Sequence, residues 1–322
     1  MKRSNSKNSG WKAVADLGTN TFQLLIAKLE TGKLHTALRR KIGVKIGKGG
    51  MEKKEILPDA VERSIAALHE FSIELDKFGL SPSDCITLAT SAFRNAENKE
   101  KVVEIIRKET GFAIQIIPGE EEANLIFKGV LASGAIEETL SNLIVDIGGG
   151  SVEFILCNGK KQQWKKSFEV GGLRLLEKFH KVDPISQLEI TKLKNYLDLE
   201  LKELWDIINI WKPEVLIGCS GSFDTLVEMQ YADLGQALPD VEANSNYTLD
   251  PIHFQNLKNK LVFSSFEERL KMPGMILLRS EMMVVAVILI DHLIEKMSDP
   301  QIRTSTFALK EGYFYSNYDP RN

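Results

Sequence analysis

The apolar and polar positions alternate in short runs of strand and helix period, and one run occurs twice. Ala13 to Asp16 begins a strand, which passes through a tight turn at Gly18-Thr19-Asn20 into a second strand, Phe22 to Leu29. The same figure returns in IVDIGGGSVEFIL at 144–156, where a buried strand delivers Asp146 to its end and three glycines turn the chain into Val152 to Leu156. The two copies align without a gap. Val14, Leu17, Gly18, Phe22 and Leu24 to Ile26 fall opposite Ile144, Ile147, Gly148, Val152 and Phe154 to Leu156, with Asp16 on Asp146 and Gln23 on Glu153. A repeated hairpin predicts two α/β domains of like architecture, with bounds expected near 128/129 and 304/305.

Helical spacing predicts an amphipathic helix over Pro58 to Phe78, with Val61, Ile65, Leu68, Phe71, Leu75 and Phe78 on one face and Gly79 as its stop. Ile86 to Ala89 reads as a buried strand ending in a polar turn, Thr90 to Asn95, followed by a helix over about 98–110. A strand at 113–117 leads through Pro118-Gly119 into a helix from Glu120 to Ser133. Ser186 and Glu189 form a capping-box pattern ahead of one long helix reaching Ile210, and Val215 to Gly218 is a further buried strand. From Asp250 the chain reads as helical, interrupted at Pro273-Gly274, with a last short helix at 307–318 expected to pack on the first domain.

Composition narrows the possibilities. A net charge of −3 gives no global attraction to nucleic acid or to an anionic membrane, so any polyanion must meet local basic patches. The longest uncharged apolar run, Met282 to Ile290, is about half of a bilayer span. The basic start of the chain, MKRSNSKNSGWK, lacks the apolar centre of a signal peptide and reads as a tail, which places the protein in the cytoplasm. Cys85, Cys157 and Cys219 show no CxxC spacing, and no histidine approaches metal-ligand spacing, so the cysteines read as reduced core thiols.

The candidate chemistry sits at the two turns. Glycines without Cβ atoms let backbone N–H groups approach phosphate oxygens, and an Asp at a strand end can hold Mg²⁺ through water. Read alone, each copy is equally a tight hairpin with an exposed Asp; together they suggest one phosphate gripped from both sides of a shared cleft. Between Thr31 and Met51, Lys33, Arg39, Arg40, Lys41, Lys45 and Lys48 precede any acidic residue, which fits either a lysine-protected strand edge or a polyanion-binding rim. Glu120, Glu121 and Glu122 open a helix, where its dipole alone favours carboxylates, and one of them is a candidate general base. The turn Cys219-Ser220-Gly221-Ser222 fits neither the GxSxG elbow nor the Cys-x5-Arg phosphatase loop, and reads as a ligand-contacting glycine turn.

Taken in order, DLGTNTF at 16–22, ATSAFRNAEN at 89–98, GEEEANLIFKGV at 119–130, DIGGGSVE at 146–153, GGLRLLE at 171–177, and then CSGSFDTL, RSEM and LKEG resemble the exopolyphosphatase and guanosine pentaphosphate phosphohydrolase (Ppx/GppA) family. That family is a branch of the actin-like superfamily, so the resemblance implies two actin-like, ribonuclease H-like domains with a phosphate-binding cleft between them. It further implies that Asp16, Gly18, Thr19 and Asn20 line one phosphate loop and Asp146 with Gly148, Gly149, Gly150 and Ser151 the other. Glu121 matches the family's water-activating glutamate, with Glu120 as the register alternative, and Arg94 its phosphate-contacting arginine. Asp146 and Glu153 match its carboxylates for Mg²⁺ (or Mn²⁺), while Lys45, Arg174, Gly221 and Ser222 are expected as secondary ligand contacts.

Three residues depart from the family pattern: Val152 replaces a Thr, Gln23 a frequent His, and Lys45 an Arg. The long members carry an additional carboxy-terminal HD-type domain, and the chain resembles the short, two-domain form. The expected activity is release of terminal orthophosphate from linear polyphosphate. Hydrolysis of guanosine pentaphosphate, and a nucleotide- or polyphosphate-binding sensor without turnover, are the alternatives. The superfamily fold often dimerises, so a homodimer is a further expectation, with no nucleic acid or membrane as partner.

Overall fold

A computed structural model describes residues 10–51, 53–237 and 244–319; residues 1–9 of the stretch read as a tail lie outside them. The chain divides into two compact units, one of the described residues up to Pro118 with those from Tyr313 onward, the other Gly119–Gly312. Among the described residues each unit holds one sheet, five-stranded in the first and six-stranded in the second.

In the first unit, β1 (Lys12–Leu17), β2 (Thr21–Glu30) and β3 (Lys33–Gly43) form an antiparallel meander. Helix α1 (Pro58–Asp76) carries the chain over to β4 (Cys85–Ala89), and α2 (Ser91–Asn95) and α3 (Lys99–Thr110) lead on to β5 (Ile114–Ile116). β4 pairs in parallel with both β1 and β5, which gives the order β3-β2-β1-β4-β5. Pro58 opens α1 at a position whose N–H has no helical acceptor anyway. Its buried stripe is Ala60, Ser64, Ala67, Leu68, Phe71 and Leu75, with Val61 and Ile65 only partly covered. Each large apolar side chain buried there contributes about 1.5–3 kcal/mol. The stretch read as a polar turn after β4 is instead α2.

The second unit opens with α4 (Gly119–Ser133), followed by β6 (Ser141–Ile147), β7 (Val152–Asn158) and β8 (Lys161–Phe168). Then come α5 (Gly172–Phe179), α6 (Gln187–Glu200), α7 (Lys202–Trp211), β9 (Val215–Cys219) and α8 (Gly221–Asp233). The rest comprises β10 (Asn246–Thr248), α9 (Pro251–Phe263), α10 (Phe266–Leu270), α11 (Met283–Met297), β11 (Gln301–Ser305) and α12 (Leu309–Asn317). The sheet order is β10-β11-β9-β6-β7-β8. Placing β6, β7, β8, β9 and β11 on β1, β2, β3, β4 and β5 reproduces every pairing and its direction. This doubling is the pair of α/β domains of like architecture expected from the repeated hairpin.

The units part elsewhere than expected. Helix α4 packs on β7 and β8, and it approaches the chain around 308–312 closely: a Cβ on Gly129 would overlap the backbone of Ala308, and one on Gly312 the carbonyl of Leu125. Both segments therefore belong to the second unit, and the division falls inside α12. The single helix expected over 186–210 is two, because buried Leu201 ends α6 and starts α7. Ser186 caps α6 through the Glu189 N–H at 3.3 Å, but the Glu189 carboxylate accepts from the Lys181 N–H. Strands β10 and β11 and helix α8 are absent from the sequence reading, and α11 begins at Met283. Its apolar run is buried throughout, and no helix among the described residues is long and apolar enough to cross a membrane.

Candidate functional site

The glycine turn after β6 is held from one side by the amino-terminal end of α5. Gly172 N–H donates to the Gly148 carbonyl at 2.8 Å, Leu173 N–H to Gly149 at 2.8 Å, and Gly171 N–H to Gly150 at 3.2 Å. The Arg174 Nε also donates to the Gly150 carbonyl, at 2.8 Å. A trans peptide plane points its C=O and the following N–H in opposite directions. With the carbonyls of 148, 149 and 150 drawn toward α5, the N–H groups of Gly149, Gly150 and Ser151 therefore point the other way. Three successive amides facing outward from a tight turn make an anion seat. Gly148 N–H closes the turn on the Ser151 carbonyl at 3.0 Å.

The turn after β1 has the same closure, Gly18 N–H to the Thr21 carbonyl at 3.1 Å, but a different clamp. Here the chain leaving β3 supplies the donors: Val44 and Lys45 N–H to the Asn20 carbonyl and Gly47 N–H to Thr19. By the same planarity the N–H groups of Asn20 and Thr21 turn away from the clamp. Thr19 and Asn20 are buried, and Thr19 Oγ1 and Asn20 Nδ2 have no hydrogen-bond partner. An orphaned buried donor costs about 1–3 kcal/mol, a cost that anionic oxygens reaching this loop would offset.

The carboxylates lie on one face of the second sheet. Asp146 pairs directly with Glu153 across β6 and β7, and Glu153 with Ser167 across β7 and β8. Both acids are buried. Ser220 donates to Asp146 Oδ2 at 2.7 Å; Ser151 and Ser167 donate to Glu153 Oε1 at 2.7 and 2.6 Å. Like charges directly opposite on neighbouring strands are destabilising, which a bound cation would offset. Among the described residues no set of three or more His, Cys, Asp or Glu gathers to hold a metal. That donor set fits Mg²⁺, which is commonly held by one or two carboxylates with water and substrate oxygens, better than a metal needing a protein cage.

Arg279, buried, lies with its guanidinium directly against Gly221, where any Cβ would collide with it. Burial pushes this guanidinium down from its ordinary value, opposed by Asp224, Asp146 and Glu228. The Cys219 thiol is pushed well above its ordinary value, by burial first and then by Asp146, Asp224 and Glu153. It is therefore held as a neutral thiol and is no nucleophile. Ser220, which precedes α8, has φ 67° and ψ −176°, a region populated almost solely by glycine.

The structure thus brings Asp146, Gly148, Gly149, Gly150, Ser151, Glu153 and Arg174 together in the second unit, and Asp16, Gly18, Thr19, Asn20 and Lys45 in the first. Arg174 is engaged with the loop backbone and, at 2.7 Å, with Glu169. Lys45 contributes its backbone, whose carbonyl also accepts from Arg63 at 3.1 Å. Gly221 accommodates Arg279, and Ser222 is buried on α8. Glu120 and Glu121 stand exposed on the first turn of α4 while Glu122 is buried. Arg94, on α2, donates to the Ile117 carbonyl at 3.1 Å. The sequence reading gave no role to Ser167, Asp224 or Arg279 and placed Ser220 only within a ligand-contacting turn; the CSGSFDTL and RSEM motifs signalled Ser220, Asp224 and Arg279, whereas Ser167 is found only through strand register.

The sequence profile of the Ppx/GppA phosphatase family matches residues 25–320. The chain is similar to an exopolyphosphatase from Cytophaga hutchinsonii ATCC 33406, 40% identical with a TM-score of 0.90, over 96% of this chain and 98% of that one. A Ppx/GppA family member from Aquifex aeolicus shares the fold at 24% identity and a TM-score of 0.75, over 95% of this chain and 96% of that one. A bifunctional 3-dehydroquinate synthase/phosphatase from Fusobacterium nucleatum subsp. nucleatum is 32% identical over 262 residues, 79% of this chain. This chain spans 38% of the length of that relative.

Proposed function

Since the chain belongs to the Ppx/GppA phosphatase family, we propose that it hydrolyses the terminal phosphoanhydride of linear inorganic polyphosphate and releases orthophosphate. The observation that carries this reading is the pair of anion seats: one loop with its amides turned outward by α5, the other with orphaned Thr19 and Asn20. The 40% identical neighbour described as an exopolyphosphatase supports polyphosphate as the substrate. The free, buried cysteines agree with a reducing, cytoplasmic setting.

In this reading the amides of Gly149, Gly150 and Ser151 and the side chains of Thr19 and Asn20 bind phosphate oxygens, and Arg94 adds a planar cation. Mg²⁺ or Mn²⁺, held by Asp146 and Glu153 together with phosphate oxygens, would supply charge neutralisation when bound. Glu121 accepts a proton from a water whose oxygen attacks the terminal phosphorus. The bridging P–O bond breaks, its electron pair leaves on the shortened chain, and the terminal group departs as orthophosphate carrying the water oxygen. Glu121 has the exposure a base needs to meet solvent water.

Replacing Glu121 by Gln keeps the shape and removes the base, so turnover should fall by about two to four orders of magnitude while polyphosphate binding is retained. Near-normal turnover would transfer the role to Glu120. Phosphate release compared on long polyphosphate, tripolyphosphate, guanosine pentaphosphate and ATP, with and without Mg²⁺, tests the substrate. Fastest release from guanosine pentaphosphate would overturn the polyphosphate assignment, and no release from any would leave a binding protein.

A further inference from the structure

The doubled sheet permits a comparison of equivalent positions. In the first unit, β1, β2 and β3 align Asp16, Gln23 and Lys41 in one cross-strand row. In the second, β6, β7 and β8 align Asp146, Glu153 and Ser167. Directly paired residues project from the same face of a sheet, so each row is a continuous polar surface beside its glycine turn. The rows differ in charge. The second carries two carboxylates and a hydroxyl, a surface for a cation; the first replaces one carboxylate by an amide and the hydroxyl by an ammonium.

Two pairs farther from the turn, on the same face, the difference disappears. Val14, Leu25 and Arg39 align in the first unit as Ile144, Ile155 and Lys165 do in the second, so Arg39 has a basic counterpart. Lys41 has none. It is exposed, level with Asp16, and the chain immediately after its strand supplies the Val44 and Lys45 amides that clamp the first loop. Its backbone is thereby tied to the loop carrying the orphaned Thr19 and Asn20. The adjacent Arg40 projects from the opposite face, where its guanidinium meets Glu70 of α1 at 2.8 Å.

We propose that the two rows have divided the work, and that Lys41 is a phosphate-contacting, specificity-determining residue of the first-unit row, selecting a polyanionic chain. The inference rests on the polyphosphate reading above. Of the six cations between Lys33 and Lys48, it singles out the one whose strand register puts it beside the loop.

Lys41 and Arg40 are neighbours of equal charge on opposite faces, which gives the test its control. Removing one charge-assisted phosphate contact should raise KM for tripolyphosphate about tenfold or more in Lys41→Met, with kcat changed less than about threefold. Lys41→Arg should recover most of the loss, and Arg40→Met should stay within about twofold of wild type, as expected for an exposed surface pair. Calorimetric titration of tripolyphosphate into the Glu121→Gln protein, with and without Lys41→Met, reads the same contact without turnover. Equal effects of Lys41→Met and Arg40→Met would reduce the lysine to part of a diffuse field, and no effect of Lys41→Met on KM or on the titration would overturn the assignment. A wild-type protein that hydrolyses no phosphoanhydride refutes the proposed function instead, and the titration still decides for or against Lys41.

Discussion

Gly171 and Gly172 are adjacent, both lie at the start of α5, and neither has a positive φ, yet opposite outcomes are expected when each is replaced by alanine. A Cβ on Gly171 would overlap the backbone of Gly149 and Gly150, which cannot rotate aside as a side chain can. A Cβ on Gly172 would meet Met282 Sδ at 3.6 Å, an ordinary contact. In Gly171→Ala the loop must move off α5 and weaken the three bonds at 2.8, 2.8 and 3.2 Å. At about 0.5–1.5 kcal/mol net for each bond, the loss is about 2–4 kcal/mol, and overpacking alone gives a similar figure. For a unit of this size that lowers Tm by about 5–15 °C. A displacement near 1 Å of the amides facing the phosphate should reduce phosphate release about a hundredfold. Gly172→Ala should be neutral or stabilising by up to about 1 kcal/mol, since alanine restricts the unfolded chain more than glycine does. Thermal melts and phosphate-release rates of the two variants decide the matter. If Gly171→Ala melts with wild type and retains its rate, or if both variants suffer alike, the stacking of the loop on α5 is not what shapes the anion seat.

Strain at Ser220 predicts that Ser220→Gly is more stable than Ser220→Ala by about 1–3 kcal/mol in chemical denaturation, although both lose the hydroxyl that holds Asp146; equal stability would mean that the backbone there is relaxed. His180, pushed below its ordinary value by burial first and then by Arg269, against opposing Asp183 and Glu189, is favoured as the neutral ring in the folded protein. Its contribution to stability is therefore complete above the unfolded histidine value, about 6.5, and declines as pH falls below it. His180→Gln should flatten the decrease of Tm between pH 7.5 and 5, and an unchanged slope would exclude this residue as its source.

The hairpins were legible because their signals are local: apolar runs of period two flanking glycine, written twice. Local signals also exposed α1, α3 and α4. What stayed hidden depends on partners remote in sequence. β11 is a short run of mixed polarity, QIRTS, whose burial comes from pairing with β9 and β10. Ser167 reaches Glu153 through register across β7 and β8, and Arg279 reaches Gly221 through a loop with no regular pattern. Val152, an apparent departure at the site, is buried in the hydrophobic core on the face opposite Glu153, so the core selects its side chain. The Asp and Gly positions of both loops were readable, but the clamps that orient their peptides, 44–47 and 171–173, lie outside the motifs they serve.

Strand β3 has a second consequence, for colloidal behaviour. Among the described residues it is an 11-residue strand at the edge of its sheet, the kind of border onto which another chain can add. Arg39, Arg40 and Lys41 along it, with the register shift between Ile26 and Ala27 on its neighbour, guard that border by repulsion and by twist. Lys41, proposed to contact a phosphate chain, is thus also one of the charges that discourage self-association, so its neutralised variants are bounded by solubility as well as by substrate affinity.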